Sequence, residues 1–206
     1  MYKNYKTILS LALFLMPILL PVKVLAQESA SIHSIVLNQS KLRIYGTSNV
    51  TDFECKYEND FEQDTLTHQL DINTQGILVR GDQLPLVVDS FDCGKRAINK
   101  DFKNTLKYKE YPDINIELIE VFSTNTIPDR ASVAITLAGV TRQYDVKLVE
   151  EPTSDGTFRI TGTQELYMTD FNLNPPRAMF GLIKVSDELL ISFELVVKSA
   201  AQIPGN

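Results

Sequence analysis

Two cysteines, Cys55 and Cys93, are the residues of this sequence whose types most clearly suggest chemistry. They do not have the C-x-x-C spacing of a redox pair, and no other cysteine is available to complete a metal site. In an oxidising compartment an isolated pair most simply forms a disulfide, whereas two free buried thiols are the alternative. A disulfide would close a loop of about 38 residues and contribute roughly 3–4 kcal/mol to stability.

The two histidines, His33 and His68, lie in unrelated segments without the spacing of metal ligands. We expect His33 to lie in a mobile segment, and His68 stands in a strand pattern without a neighbouring nucleophile. The sequence contains neither a G-x-S-x-G motif nor a glycine-rich phosphate loop. These features favour a protein that is not an enzyme, with no catalytic residue, no metal and no resident cofactor.

The first 26 residues have the pattern of a secretory signal peptide. Lys3 and Lys6 provide the positive start, Ile8 to Leu20 the apolar run, and Ala26 a small residue for cleavage. The apolar run is shorter than the roughly 18–20 residues that span a bilayer, and Gln27 is not the cysteine of a lipoprotein. We therefore expect a periplasmic or secreted protein without stable membrane insertion.

The remaining chain, 27–206, is long enough for one domain with a sizeable core. Removal of the leader takes away three lysines and no acidic residue, which leaves 17 basic and 26 acidic residues and a net charge of −9. An acidic chain without a basic cluster disfavours binding to nucleic acid, because that binding depends on neutralising phosphates. The same net charge disfavours adsorption to anionic membrane surfaces.

Most of this domain reads as short strands. Alternating apolar residues and turn signals predict eight or so antiparallel strands, with a bulge or a bend near Thr51-Asp52 and a clear hairpin within 132–148. The last strand is predicted from the strict alternation between Leu189 and Val197, and a frayed tail is expected after Ala200. The predicted strands cover 41–45, 48–55, 66–72, 76–79, 84–91, 114–121, 132–137, 144–148, 157–168 and 189–197. This pattern predicts an all-β barrel or sandwich.

One segment, between Cys93 and Tyr111, reads as a helix. Ile98, Phe102 and Leu106 recur at every fourth residue and form one apolar stripe. Pro112 is expected to end the helix, because the residue before proline is disfavoured in the α region. A single amphipathic helix among strands suggests a plug or lid on the barrel.

Four blocks of the sequence resemble the YceI-like family of secreted bacterial proteins. Thr169-Asp170-Phe171 stands at the place of the family's R-x-D-F-G block. The other three blocks are Ser48 to Phe53, near the start of the domain; the helix and strand from Asn99 through Tyr111-Pro112 to Ile116, at its YP-x-I-x-F block; and Ile135 to Arg142, at its L-T-L-H-G-V-T-R hairpin. Together the blocks cover nearly the whole chain after the leader. Two departures stand out, since Ala138 replaces the family histidine and Asn172 replaces the glycine after Phe171.

The resemblance implies a lipocalin-like antiparallel β-barrel of about eight strands with one amphipathic helix. It also implies an apolar interior that holds a polyisoprenoid, a fatty-acyl chain or a similar long-chain lipid such as an isoprenoid quinone. The resemblance is also compatible with a homodimer. The residues that we select as the lining of this interior are Phe53, Phe91, Phe102, Leu106, Ile116, Ile135, Phe180, Ile191 and Phe193.

The same apolar residues could instead fill an ordinary core, because a barrel of about eight strands is either packed solid or just wide enough for one ligand. The alternative hypothesis is therefore a non-catalytic periplasmic interaction or stress protein with a solid core. The two hypotheses differ in whether an internal cavity exists.

Overall fold

The computed structural model describes residues 29–37, 39–59, 61, 65–72, 77–81, 83–124, 127–153 and 155–202. The predicted signal peptide lies outside these residues. Within them the chain forms one helix, α1 (Arg96–Thr105), and thirteen strands. The strands are β1 (Ser29–Val36), β2 (Lys41–Ser48), β3 (Asp52–Tyr57), β4 (Thr65–Ile72), β5 (Ile77–Gly81), β6 (Gln83–Val87), β7 (Phe91–Asp92), β8 (Asp113–Thr124), β9 (Ile127–Leu137), β10 (Val140–Pro152), β11 (Phe158–Tyr167), β12 (Arg177–Ala178) and β13 (Ile183–Gln202).

Eight of these strands form a closed antiparallel ring, in the order β1-β4-β5-β8-β9-β10-β11-β13 and back to β1. The predicted lipocalin-like all-β barrel of about eight strands with one helix is therefore confirmed. Closure of this ring pairs each of its eight strands on both sides, whereas β6 and β7 each pair on one side only among the described residues.

Beyond the ring, the barrel continues as a second set of shorter pairings. Strands β1 and β2 both pair with β13, at 197–202 and at 185–194 respectively. Strands β5 and β6 likewise follow one another along β8. At this end β3 pairs with β2 and β7 but not with β6 among the described residues, and the Val87 N–H reaches the Tyr57 hydroxyl across the gap at 3.4 Å. We call the end of the barrel that contains β2, β3, β6 and β7 its upper end.

The strand boundaries differ from the predicted ones where local hydrogen bonds interrupt the ladder. The predicted strand 48–55 does bend near Thr51-Asp52, but it is divided there into a turn at 48–51 and strand β3. The Ser48 hydroxyl accepts the Thr51 N–H at 3.1 Å, and such side-chain bonds compete with strand pairing. The predicted strand 84–91 is broken by a 3₁₀ turn at Val88–Ser90.

The start and the end of the described chain are more ordered than predicted. His33 was expected in a mobile segment but lies in β1, which pairs with β4 on one side and β13 on the other. The tail was expected to fray after Ala200, yet β13 runs to Gln202 and pairs there with Ser31. Each of these two strands stabilises the other, and this mutual pairing is not visible in either segment alone.

Helix α1 ends at Thr105, earlier than the predicted stop at Pro112, because Lys107 adopts a left-handed conformation with φ of 52°. The Tyr108 N–H donates to the Lys103 carbonyl at 3.0 Å, and the Lys107 N–H donates to the Asn104 carbonyl at 3.0 Å. These two bonds form a Schellman motif, which usually has glycine at the left-handed position.

Replacing Lys107 with glycine should therefore stabilise the protein by about 1 kcal/mol, because a left-handed conformation costs other residues roughly 1–2 kcal/mol. The change is measured by denaturant unfolding. Lys109→Gly in the same turn is the matched control and should give no gain, since Lys109 does not have a positive φ. Equal effects of the two variants would contradict the assignment of strain to Lys107.

The turn between β10 and β11 contains an aspartate that is held ionised. The hydroxyls of Thr153 and Thr157 and the Thr157 N–H donate to the Asp155 carboxylate. These bonds, with that from Thr153 the largest cause, lower the pKa of Asp155 from 3.8 to about 2.

Because the folded-state pKa lies below the unfolded one, Asp155 contributes stability above pH 3.8 that is lost as the pH falls toward 2. Asp155→Asn should lower stability at neutral pH and reduce the further loss across this acid range, as measured by urea unfolding at several pH values. The exposed Asp129→Asn serves as a control. An unchanged acid slope in Asp155→Asn would contradict the role of this turn.

Candidate functional site

A cleft of about 270 Å³ opens at the upper end of the barrel, between helix α1 and the strands. Its walls are mostly carbon, with a few polar side chains toward the mouth, among them Lys95 and Asp101. The lining comprises Ile44, Ser48, Val50, Thr51, Phe53, Lys95, Ala97, Ile98, Asp101, Phe102, Thr105, Leu106, Leu137, Leu166, Tyr167, Met168, Phe171, Leu173, Pro176, Ala178, Ile183, Val185 and Leu189. Apolar walls with few polar groups are typical of small-ligand sites.

The helix wall of the cleft is formed by the predicted apolar stripe. Ile98 and Phe102 are half-buried, and Leu106, just after the last helical residue, is buried. The Phe102 ring packs on Phe91, with the two ring centroids 5.2 Å apart, and Phe91 in turn contacts Tyr57 on β3 at 5.0 Å. This row of aromatic rings connects the helix to the barrel wall, as aromatic pairs in tilted arrangements do favourably.

A disulfide between Cys55 and Cys93 anchors the start of the helix to β3, with the two Cα atoms 3.9 Å apart. The predicted disulfide is therefore confirmed. Both cysteines are buried. The link ties the segment immediately before α1 to the barrel, so it fixes where the helix wall of the cleft begins.

Asn99 reinforces this anchor from the first turn of α1. Its side-chain oxygen accepts the Cys93 N–H at 2.6 Å, and its amide donates to the Asp92 carboxylate at 2.8 Å. The Asp92 carboxylate also accepts the Gly94 N–H at 3.0 Å. These bonds, chiefly that from Asn99, lower the pKa of Asp92, which keeps it ionised as a partner for the helix start.

The wall opposite the helix is a 3₁₀ turn, Met168–Phe171, with the residues that follow it. Phe171 and Leu173 are almost completely buried, at 1% and 2% exposure. The chain reverses at Asn172, whose φ is 56°, and the Leu173 N–H donates to the Met168 carbonyl at 3.1 Å. Asparagine tolerates this left-handed conformation better than most residues. Asn172 can therefore stand at the position where the YceI-like pattern has glycine.

Tyr144 lies beside this wall, with its ring 6.3 Å from Phe171, and its hydroxyl is buried with no hydrogen-bond partner among the described residues. Desolvation, and secondarily the negative charge of Asp170, raises the pKa of Tyr144. Tyr144 therefore stays neutral, and it does not line the cleft.

Three of the nine residues that were predicted to line an apolar interior do line the cleft: Phe53, Phe102 and Leu106. Phe91 is buried behind Phe102. Ile135 is buried in the barrel core, and Ile116 and Ile191 pack against that core. These four residues thus stabilise the barrel around the cleft rather than forming its surface.

Phe193 and Phe180 also lie away from the cleft. Phe193 is half-buried on the same face of β13 as Ile191, and a Cβ placed on Gly162 would come within 2.5 Å of its ring. Phe180 corrects the prediction most clearly, because it is fully exposed. It stands in a turn with φ of 57°, where the chain directs it away from the barrel.

Most residues of the wall opposite the helix give no signal in the sequence. Phe171 and Leu173 come from an irregular segment without apolar alternation, and Met168 stands at the end of a predicted strand. The family-like Thr169-Asp170-Phe171 block was the one available signal. Val185 and Leu189 belong to the alternating pattern of β13 but were not distinguished from core residues.

The described residues contain no group of three or more His, Cys, Asp or Glu side chains that could hold a metal ion. In the described part of the chain, no helix is long and apolar enough to cross a membrane.

No protein-family model matches this sequence, and no curated protein matches it. Solved structures do. BcnA of Burkholderia cenocepacia is 17% identical, with a TM-score of 0.57, over 77% of this chain and 96% of that one. A polyisoprenoid-binding domain of Saccharophagus degradans, implicated in plant cell wall breakdown, is 15% identical, with a TM-score of 0.56, over 82% and 98%.

A YceI protein of Campylobacter jejuni is more distant, with 14% identity and a TM-score of 0.41 over 68% of this chain and 82% of that one. The first two similarities span nearly the whole length of the compared chains. At these identities they establish a shared fold.

Removing the disulfide tests how far the cleft depends on its covalent anchor. Replacing Cys55 and Cys93 together with alanine should lower the free energy of unfolding by about 3–4 kcal/mol, because the link closes a long loop of the unfolded chain. Denaturant unfolding measures the loss. Reduction of the unaltered protein with dithiothreitol is the control and should give a similar loss. A large effect of the substitutions with no effect of reduction would assign the loss to packing instead.

Proposed function

We propose, from the premise that this chain has the fold of the YceI-like proteins, that it binds the apolar tail of a long-chain lipid in the cleft under helix α1. The observation that carries the proposal is the cleft itself, about 270 Å³ lined mainly by apolar side chains from α1, β2, β13 and the Met168–Phe171 turn. A fully packed upper end, as the solid-core alternative requires, would not leave this space.

The size of the cleft favours a chain-like occupant that is only partly enclosed. Its volume lies near the lower end of the roughly 300–1,000 Å³ typical of small-ligand sites. Next to the cleft, buried side chains such as Leu42, Ile114 and Ile135 belong to one continuous core. The cleft therefore suits a segment of an isoprenoid or fatty-acyl chain, whose burial contributes about 0.8 kcal/mol per CH₂ group.

The polar groups at the mouth would face the head of such a lipid. Lys95 and Asp101 both line the cleft and are near the start and the middle of α1. One cation and one anion at the rim are compatible with a polar head group that remains in water. An isoprenoid quinone, a polyisoprenoid and a fatty acid all combine a polar head with an apolar tail, and we propose this shared chemistry as the ligand class.

Export to the periplasm or beyond is part of the same proposal. The signal-like leader supports it, and so does the Cys55–Cys93 disulfide, because disulfides persist mainly in oxidising compartments. The binding role is proposed to be non-catalytic. The fold-related domain of Saccharophagus degradans is described as polyisoprenoid-binding, which supports the choice of ligand class.

Phe102→Asp tests the helix wall directly. A carboxylate in the apolar cleft should weaken binding of the fluorescent fatty acid cis-parinaric acid by about tenfold or more, because burying an unpaired charge is unfavourable. Binding is followed by the emission of the probe, which is convenient because the chain contains no tryptophan. Mass spectrometry of an organic extract identifies any lipid that purifies with the protein.

Lys100→Asp is the matched control, since it places the same carboxylate on the exposed face of the same helix. It should leave probe binding within about twofold of the unaltered protein, because surface substitutions rarely perturb a fold. Circular dichroism establishes that both variants are folded. Unchanged probe binding in folded Phe102→Asp would exclude the helix as a wall of the site.

A further inference from the structure

A small hairpin beside the mouth of the cleft exposes an unusual amount of apolar surface. It consists of residues 177–184, which comprise β12, a 3₁₀ turn at Met179–Gly181 and the first residues of β13; we call it the tip hairpin. Met179, Phe180 and Leu182 are 65%, 110% and 72% exposed. A single exposed apolar residue needs no explanation, but three in four positions form a patch that points to an interaction site.

The neighbouring turn between β2 and β3 extends this patch and holds it in place. Asn49 donates its side-chain amide to the Leu182 carbonyl at 2.9 Å and accepts the Lys184 N–H on its side-chain oxygen at 2.8 Å. Its backbone N–H also donates to the Lys184 carbonyl at 3.1 Å. Val50, the next residue, is 61% exposed and lines the cleft. The patch is thus fixed to the barrel.

The conformation of the tip keeps its apolar side chains outside the barrel. Met179, Phe180 and Gly181 have consecutive positive φ angles of 48°, 57° and 88°. Bulky residues rarely adopt such angles, and strained backbone of this kind is found mostly at functional sites. Phe180, fully exposed, obtains no burial in return for this strain.

The charges of the tip hairpin differ in sign from those of the chain as a whole. Arg177 and Lys184 are both exposed and stand directly opposite each other in the β12–β13 ladder. Like charges at opposed positions repel unless an anion lies between or beside them. No acidic residue occurs between Asn172 and Ser186, although the full chain has a net charge of −6.

The acidic residues that flank the hairpin most closely in the sequence are Asp170, Asp187 and Glu188. The Asp187 carboxylate already accepts the Thr169 N–H at 2.9 Å and the Thr169 hydroxyl at 2.5 Å. Asp170 and Glu188 are exposed. The hairpin therefore combines an apolar end with two cations at its base, the arrangement that suits the interface of a bilayer containing anionic lipids.

The size and the position of the patch favour a bilayer over a protein partner. A stable protein interface needs roughly 800 Å² from each partner, more than the four side chains of a narrow tip provide. The opposite face of the same hairpin, Ala178 and Ile183, lines the cleft. An apolar chain that leaves a bilayer at the tip would therefore meet cleft-lining residues of the same hairpin.

We propose that the tip hairpin, together with Val50, inserts into the interface of an anionic lipid bilayer and places the mouth of the cleft against it. The role of this contact in lipid exchange rests on the proposed function, whereas the contact itself does not. The element is peripheral: it touches the bilayer with four apolar side chains and two cations and does not span it.

Vesicle flotation tests the contact. The protein is purified from an exporting host, and its N terminus is determined by mass spectrometry, because a retained apolar leader would itself bind vesicles. All variants are compared with the same N terminus. The vesicles contain equal parts of phosphatidylcholine and phosphatidylglycerol, or phosphatidylcholine alone.

Phe180→Asp and Val50→Asp should each reduce flotation with the anionic vesicles by about tenfold, because each removes apolar surface from the interface and adds repulsion. Val149→Asp is the matched control, since Val149 is 57% exposed on β10, away from the cleft. It should float like the unaltered protein. Flotation of Phe180→Asp equal to that of Val149→Asp would overturn the proposal, as would absence of flotation of the unaltered protein.

The double variant Arg177→Gln with Lys184→Gln tests the two cations. Its control is the double variant Lys147→Gln with Lys198→Gln, which removes the charges of two exposed lysines elsewhere on the barrel. The first pair should lower flotation on anionic vesicles, and the second should not. Equal flotation of the unaltered protein on neutral and anionic vesicles would overturn the role of the cations. Chemical cross-linking of the tip to a protein, without flotation, would replace the bilayer with a protein partner.

Binding of cis-parinaric acid in solution separates the two proposals. Phe180→Asp should lose flotation and retain probe binding, which supports a surface contact distinct from the cleft. Flotation of an unaltered protein that binds no probe would contradict the proposed function while leaving the membrane contact established.

Discussion

The Cys55–Cys93 cross-link is the constraint on which the position of helix α1 depends. The helix has ten residues and none of them is fully buried, and a helix of that length is marginal by itself in water. It is held at its start by the disulfide and by the bonds of Asn99, and along its length by the packing of Phe102 on Phe91. The cleft exists because the helix is anchored at one end and stands against the barrel without filling it.

The interrupted strands explain why a cavity forms at the upper end. In the lower part, the ring closes through β1, β4, β5 and β8. In the upper part, β3 and β6 do not pair among the described residues, and the chain instead makes a 3₁₀ turn and a two-residue strand before entering α1. Helix α1 thus follows at the end of the barrel where β3 and β6 leave the sheet unclosed.

The sequence predicted the regular parts well and the irregular parts poorly, for identifiable reasons. Alternation located β9, β10 and β13, and the family-like blocks proved to be neighbours: the Tyr111 ring lies over Gly139, where a Cβ would come within 2.7 Å of it. Periodicity did not predict where the helix ends or that Phe180 is exposed. Both follow from a left-handed backbone conformation, at Lys107 and at Phe180, in residue types that rarely adopt it. Apolar composition alone placed Phe180 inside. Its position in a strained turn, which periodicity does not encode, places it outside.

The last strand also determines the order in which the molecule can assemble. Strand β13 pairs with β11 on one edge and with both β1 and β2 on the other, so the first and last strands of the described chain meet. Contacts between segments so far apart in sequence form slowly, because a long loop must close before any of them is made. The same strand supplies Ile183, Val185 and Leu189 to the cleft. Barrel closure and completion of the cleft therefore depend on the same strand, and a chain truncated before β13 would lack both.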